Sequence, residues 1–266
     1  MTPQAMFRRL LGVIVLPALF LPAATAPAAD ALSDAAAKIK PSIVAIGSFQ
    51  KTRSPSTVFN GTGFVVGDGR HVVTNAHVLP RQLNIERRET LIVLLPGTEE
   101  PENRPAQVLV VDRGHDLALL RIEGPPLPAV EIADSAGVRE GQDLAFTGFP
   151  VGMALGLYPA THRATLAAVV PIARAGITSR QLNPRMVTRL RESVYVVFQL
   201  DATAYPGNSG SPLYDPVSAQ VLGIVNSVFI QGTREQAITR PSGITYAIPS
   251  VHIRILMEQA NVSDPR

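Results

Sequence analysis

The apolar positions of this chain fall into many short runs rather than long helical stripes. Apolar or β-branched segments recur at Ser42 to Ile46, Gly63 to Val66, His71 to Thr74, Leu91 to Leu95, Gln107 to Val111 and Leu117 to Ile122. They continue at Asp143 to Phe146, Thr165 to Val170, Val194 to Gln199, Val221 to Phe229 and Ile244 to Ile248. Gly, Pro, Asp and Asn stand between the runs, and Asp68-Gly69 is the kind of pair that favours a tight hairpin turn. Strands this short and numerous predict a sandwich or barrel rather than alternating strand–helix units. Two segments break the rhythm. Ala31 to Lys40 has the spacing of a short amphipathic helix stopped by Pro41, and Ile253, Leu256 and Met257 mark one face of a closing helix over Val251 to Gln259. Ile172 to Glu192 has weak periodicity and several breakers, which predicts a long loop of the sort that often carries function. No internal repeat of about 20 to 50 residues is evident.

The N-terminus follows another pattern. Arg8 and Arg9 precede the apolar run Leu10 to Leu21, and small residues then lead to Ala26-Pro27-Ala28. That order predicts a secretory leader over residues 1–28, cut after Ala28. A membrane span would need roughly 20 apolar residues and would here contain Pro17. Residues 29–266 are then expected to form one domain, periplasmic or secreted, with no stable membrane insertion. The leader removes two arginines, so 22 of the 24 basic residues face 21 acidic ones. Arg180, Arg185, Arg189 and Arg191 cluster without interleaved aromatics, so nucleic acid is not an expected partner. The chain has no cysteine, although a leader would send it where disulfides persist. The core alone must hold the fold, and thiol catalysis and thiolate metal sites are excluded. With no His-Glu-x-x-His and no ligand cluster at metal spacing, neither metal nor cofactor is expected.

The strongest chemical signal is Asp201 to Leu213, which contains Gly207-Asn208-Ser209-Gly210-Ser211-Pro212. A serine hydroxyl is a poor nucleophile unless it is held tightly beside a base. Gly207 lets its own N–H and that of Ser209 point at one spot, as an oxyanion hole requires, and Gly210 removes bulk behind Ser209. Taken alone, the motif reads equally well as a glycine-rich surface turn. A base is available in His77, at the end of the apolar strand that starts at Val72. His71, His115, His162 and His252 are its rivals and read as surface or structural histidines. Asp116, at the mouth of the strand Asp-Leu-Ala-Leu-Leu-Arg-Ile, would orient the ring. Asp112 is the alternative carboxylate, although Arg113 and Gly114 beside it suggest a turn.

In combination, Thr74-Asn75-Ala76-His77-Val78, Asp116-Leu-Ala-Leu-Leu and Gly207-Asn208-Ser209-Gly210 resemble the three signatures of trypsin-like serine peptidases, in the chymotrypsin order His, Asp, Ser. Within that superfamily the chain most resembles the HtrA (Deg) peptidases, through Gly61-Thr-Gly-Phe-Val-Val, Phe198-Gln-Leu-Asp-Ala and Gly243-Ile-Thr-Tyr-Ala-Ile-Pro249. These motifs span nearly all of residues 31–258. The resemblance implies an all-β fold of two six-stranded antiparallel barrels, with a short N-terminal helix and a C-terminal helix. It implies His77, Asp116 and Ser209 as the catalytic set, Gly207 and Ser209 as oxyanion donors, and unfolded or exported polypeptides as substrates. A homotrimer and a regulatory loop at Ile172 to Glu192 are implied by the same likeness. Alignment of the nucleophile loop puts Thr203 at the base of the specificity pocket, with Ala204, Asn226 and Val228 on its walls. Such a neutral pocket suits small or medium aliphatic residues before the cut. Two departures stand out. Ser211 occupies the place of a second glycine, and the chain stops at Arg266, leaving no room for the PDZ domain usual in HtrA proteins. A reading from another class is a catalytically silent peptide-binding chaperone or regulator on the same scaffold.

Overall fold

The structure is a computed structural model and describes residues 28–97, 101–150, 152, 156–173, 194–226 and 243–263. Helix α1 (Ala28–Ile39) is stopped at Pro41, inside a short 3-10 turn, and hands the chain to the first barrel. That barrel is made of β1 (Ile43–Phe49), β2 (Thr57–Val66), β3 (His71–Asn75), β4 (Thr90–Leu95), β5 (Glu102–Asp112) and β6 (Leu117–Ile122), closed in the order β1-β2-β3-β6-β5-β4. The second is made of β7 (Asp143–Gly148), β8 (Ala160–Ala173), β9 (Val194–Asp201), β10 (Pro212–Tyr214), β11 (Val221–Asn226) and β12 (Ile244–Pro249), closed as β7-β8-β9-β12-β11-β10. Helix α2 (Ser250–Gln259) follows. The expected fold of two six-stranded antiparallel barrels and two terminal helices is therefore observed. Both barrels use one strand order although the chain has no sequence repeat, because closure demands alternation and turns rather than particular side chains.

The turn at Asp68-Gly69 joins β2 to β3 as expected, with Gly67 and Gly69 at φ of 62° and 81°. Several strands exceed the apolar runs that announced them. β2 starts at Thr57 and β5 at Glu102, since pairing with β1 and β4 continues past the last buried side chain. β10 had no counterpart among the expected strands; it is three residues long and opens on proline. The expected leader at residues 1–28, apart from Ala28, and residues 174–192 of the expected loop lie outside the described residues, as does Val228; the first two residues of that loop, Ile172 and Ala173, instead end β8. Among the described residues no helix is long and apolar enough to cross a membrane.

One apolar cluster runs through both barrels. Ile43, Phe64 and Leu119 of the first meet Phe149, Tyr214 and Ile224 of the second, and Leu256 and Met257 of α2 close over them. Helix α2 is further tied down where Ser250 Oγ donates to the Ala133 carbonyl at 2.6 Å and Arg254 pairs with Asp134 at 2.9 Å. With no cysteine in the chain, the seam between the barrels is held by packing and hydrogen bonds alone, and the candidate site lies across that seam.

Candidate active site

The tight turn between β5 and β6 delivers Asp116. The Asp112 carboxylate accepts from the Gly114 and His115 amides at 2.8 and 3.1 Å and from His115 Nδ1 at 2.5 Å. Burial opposes ionisation of Asp112, but these hydrogen bonds outweigh it and hold its carboxyl below the ordinary range. Asp112 thus shapes the turn. Asp116, the next carboxylate, has a left-handed φ of 53°, a conformation that costs most residues energy and that aspartate tolerates best after glycine and asparagine. Its carbonyl is fixed by the Ala76 amide at 3.0 Å and Asn75 Nδ2 at 3.1 Å.

That backbone turns the Asp116 side chain onto His77, which sits in the short helical turn Ala76–Val78 at the end of β3. One carboxylate oxygen accepts the His77 amide at 2.9 Å, and the other accepts His77 Nδ1 at 2.5 Å. With Nδ1–H donating, the lone pair of the ring lies on Nε2. The His77 ring is 29% exposed and the Asp116 side chain 23%, so the ring is accessible while the carboxylate is partly shielded. A third donor reaches the same carboxylate from the other barrel: Asn226 Nδ2, at the end of β11, lies 2.8 Å from Asp116 Oδ2. The sequence placed Asn226 on the specificity-pocket wall, whereas its amide is turned to the carboxylate.

Ser209 comes from the second barrel. The loop before β10 is packed under β2 so closely that Ser209 is 4% exposed. Thr62 clamps it. The Thr62 amide donates to the Ser209 carbonyl at 2.8 Å, Thr62 Oγ1 donates to the Gly207 carbonyl at 2.7 Å, and the Phe149 amide donates to Thr62 Oγ1 at 3.1 Å. A Cβ added to Gly61 would come 2.8 Å from Val78 Cγ2 and 3.0 Å from the Ser209 carbonyl oxygen. The segment after His77 and the backbone of Ser209 therefore converge on one glycine. Gly207 has a φ of 105°, and a side chain there would strike the Phe149 carbonyl; Gly210, at φ 90°, would strike that of Thr62. Both positions require glycine. Ser211, the departure from a second glycine, is fully buried, and its hydroxyl fills the space that Gly148 leaves open.

Thr203 is half-buried and Ala204 buried. Thr245 of β12 braces them, accepting the Ala204 amide at 3.0 Å and donating to the Ala202 carbonyl at 2.7 Å. Thr62, Thr245 and the carboxylate contact of Asn226 were missed by sequence reasoning. Thr62 lay inside the Gly61-Thr-Gly-Phe match, but nothing in one strand tells which distant loop its hydroxyl will hold.

The other histidines are engaged elsewhere. His71 contacts Asp68 at 2.8 Å, and His115 stacks on His252 with centroids 4.0 Å apart. His162 stacks on Phe146 with centroids 4.7 Å apart, and burial pushes its pKa down. Among the described residues no group of three or more His, Asp or Glu could hold a metal ion.

Comparison with known proteins agrees with this architecture. A protease from M. tuberculosis, Rv3671c in its active form, superposes with a TM-score of 0.63 at 22% identity, covering 96% of this chain and 97% of that one. The HtrA-type protease AlgW with a decapeptide gives a TM-score of 0.62 at 21% identity, over 86% of this chain and 67% of that one. In sequence, the chain is 28% identical over 210 residues to the mitochondrial serine protease HTRA2 of Drosophila pseudoobscura pseudoobscura, covering 77% of this chain and 40% of that protein. It is 29% identical over 190 residues to a probable periplasmic serine endoprotease, DegP-like, of Halomonas elongata, covering 71% and 32%. The chain thus spans about two fifths or less of the length of these relatives. Residues 61–224 match the family described as trypsin-like peptidase domain. That match runs from the glycine on which the two barrels converge to the strand behind Ser209, so the chain belongs to the trypsin-like peptidase domain family, with HtrA and DegP-like proteases among its relatives.

Proposed function

We propose that the chain is a serine endopeptidase of HtrA type, with Ser209 as nucleophile, His77 as general base and acid, and Asp116 as the group that orients His77. The observation that carries this reading is the His77 Nδ1–Asp116 Oδ2 hydrogen bond of 2.5 Å, made in one barrel and locked to the nucleophile loop of the other by Thr62. Ser209 Oγ attacks the scissile carbonyl carbon as its proton passes to His77 Nε2. The carbonyl π-electrons move to oxygen, which the Gly207 and Ser209 amides stabilise. Collapse of this intermediate breaks the C–N bond, and His77 returns the proton to the departing amine. Water then repeats the sequence on the acyl-enzyme and frees Ser209. Asn226 holds Asp116 in register and is a positioning residue. Thr203 and Ala204 form a neutral pocket for an aliphatic side chain before the cleaved bond.

The substrates on this reading are unfolded or exported polypeptides in a periplasmic or secreted setting, with the chain working as a trimer. Support for that setting comes from the leader pattern at residues 1–28 and from the DegP-like relative, a probable periplasmic endoprotease. A fluorophosphonate probe tests the chemistry directly. Wild type should label with one adduct and Ser209→Ala should not; equal labelling of both overturns the assignment, and no labelling of either favours a silent binding protein. Cleavage mapping on denatured casein should return aliphatic residues before the cut, and a dominant preference for Arg, Lys or Glu would reject the pocket assignment.

A further inference from the structure

A groove of about 610 Å³ begins at His77 and runs between the segment that follows it and strand β5. Apolar side chains stand on both walls, Leu83 on one side and Val108 and Val111 on the other, and the lining as a whole is about as polar as it is apolar. β5 widens here through a register shift between Val108 and Val110, and leaves Val108 41% exposed. Besides His77, the ionisable side chains in its lining are Arg81 and Arg113; no acidic residue lines it. Both arginines are exposed, and among the described residues neither takes part in an ion pair. Of the acids close to them in the chain, Asp112 and Glu89 are committed elsewhere, and Glu86, in the loop that carries Arg81, is exposed and does not line the groove. Asp112, beside Arg113, is held by His115 and the turn amides. Glu89, at the far end of the loop that carries Arg81, is held by Arg53 and Ser48 at 2.6 Å each.

A trough of mixed apolar and polar lining, with two uncompensated guanidinium groups and no carboxylate in its walls, suits a ligand that supplies its own. Guanidinium forks pair with carboxylates in a fixed, two-pronged geometry. A nucleic acid would call for aromatic platforms on which bases stack, and the lining has none. We propose that this groove selects substrate polypeptides carrying Asp or Glu next to an aliphatic residue close to the scissile bond, with Arg81 and Arg113 as specificity-determining residues. An extended chain advances about 3.3–3.6 Å per residue, so a groove that starts at the catalytic base takes side chains within about three residues of the cut. This rests on the peptidase reading above, and its test separates the two.

Fluorescence anisotropy on the full chain carrying Ser209→Ala measures binding without turnover. The probes are two labelled decapeptides with a Val-Ala centre flanked by Asp and Glu, or by Asn and Gln in the same places. At low ionic strength the acidic peptide should bind about five-fold more tightly, as expected for two partly exposed pairs, and the advantage should shrink with added salt. Addition of Arg81→Gln and Arg113→Gln should bring the ratio of the two affinities to about one. Equal binding of the two peptides before the arginines are changed, no binding of either, or an acidic preference that survives their removal each overturns the proposal. If fluorophosphonate fails to label Ser209 while the arginine-dependent preference holds, the peptidase reading falls and the groove stands as a peptide-binding surface.

Discussion

Asn226 separates two roles that a single-site substitution can tell apart. As a pocket wall it would govern substrate affinity; as a donor to Asp116 Oδ2 at 2.8 Å it governs the orientation of the base. Asn226→Ala should therefore lower kcat by about ten-fold, the cost of one weakened hydrogen bond of roughly 1.4 kcal/mol, while KM changes little. A rise in KM at constant kcat would return Asn226 to the pocket. Asp116→Asn should fold yet lose about 10⁴ in rate, because an amide no longer selects the tautomer with its lone pair on Nε2; steady-state kinetics on one peptide measures both variants. His162 makes a prediction about pH instead. Its Nε2 is buried and has no hydrogen-bond partner among the described residues, and burial lowers its pKa in the folded state. The unfolded chain then binds the proton more readily, so the stability from a neutral His162 is present above the unfolded value of about 6.5 and is lost as pH falls through the folded value. His162→Phe, stacked on Phe146, should make the melting temperature less dependent on pH in that window; an unchanged pH profile would show that other groups govern it. At this scale the types and order of His77, Asp116 and Ser209 were legible, since each stands in a motif of its own. Thr62 and Asn226 were not, because their hydrogen bonds join residues 145 and 110 positions apart.

Strand-level packing explains why Ser211 is accommodated where a second glycine is the common pattern. β7 reaches the nucleophile loop with Gly148, and a Cβ there would fall on the Ser211 hydroxyl and come 2.9 Å from Thr62 Oγ1. The two positions share one volume, so the serine and the glycine are a matched pair. Gly148→Ala should destabilise the chain by about 1–3 kcal/mol through overpacking and depress turnover, and adding Ser211→Gly should recover at least half of that stability. Urea denaturation of the two single variants and the double variant gives the coupling, and strict additivity would sink the idea. Eleven of the strands were foreshadowed by apolar runs, since a buried face leaves alternation in the sequence. β10 was not, because three residues behind a proline are too few to show a period. The long extensions of β2 and β8 escaped for a related reason: their outer residues pair with neighbouring strands without being buried, as at Val58 and Arg163.

At the level of the whole molecule, His77 and Asp116 belong to one barrel and Ser209 to the other. Neither barrel alone contains the proposed triad. A single apolar cluster nonetheless joins them, from Ile43 and Phe64 through Phe149 and Tyr214 to Leu256, so the barrels should not melt in turn. Turnover and the far-ultraviolet strand signal should disappear at the same urea concentration in one transition; loss of activity well before the strand signal would mean that the barrels part first. The terminal helices and the two-barrel plan could be anticipated from pattern and likeness. The seam itself could not, because it is a property of how two closed sheets meet. That seam has no covalent fastening, since the chain contains no cysteine. Its assembly consequently needs no oxidant, and mild thiol reagents such as dithiothreitol or glutathione have nothing in it to cut. A fold built this way can form before any oxidative folding machinery acts on it and persist when its surroundings swing between oxidised and reduced, a latitude that a disulfide-stapled fold lacks.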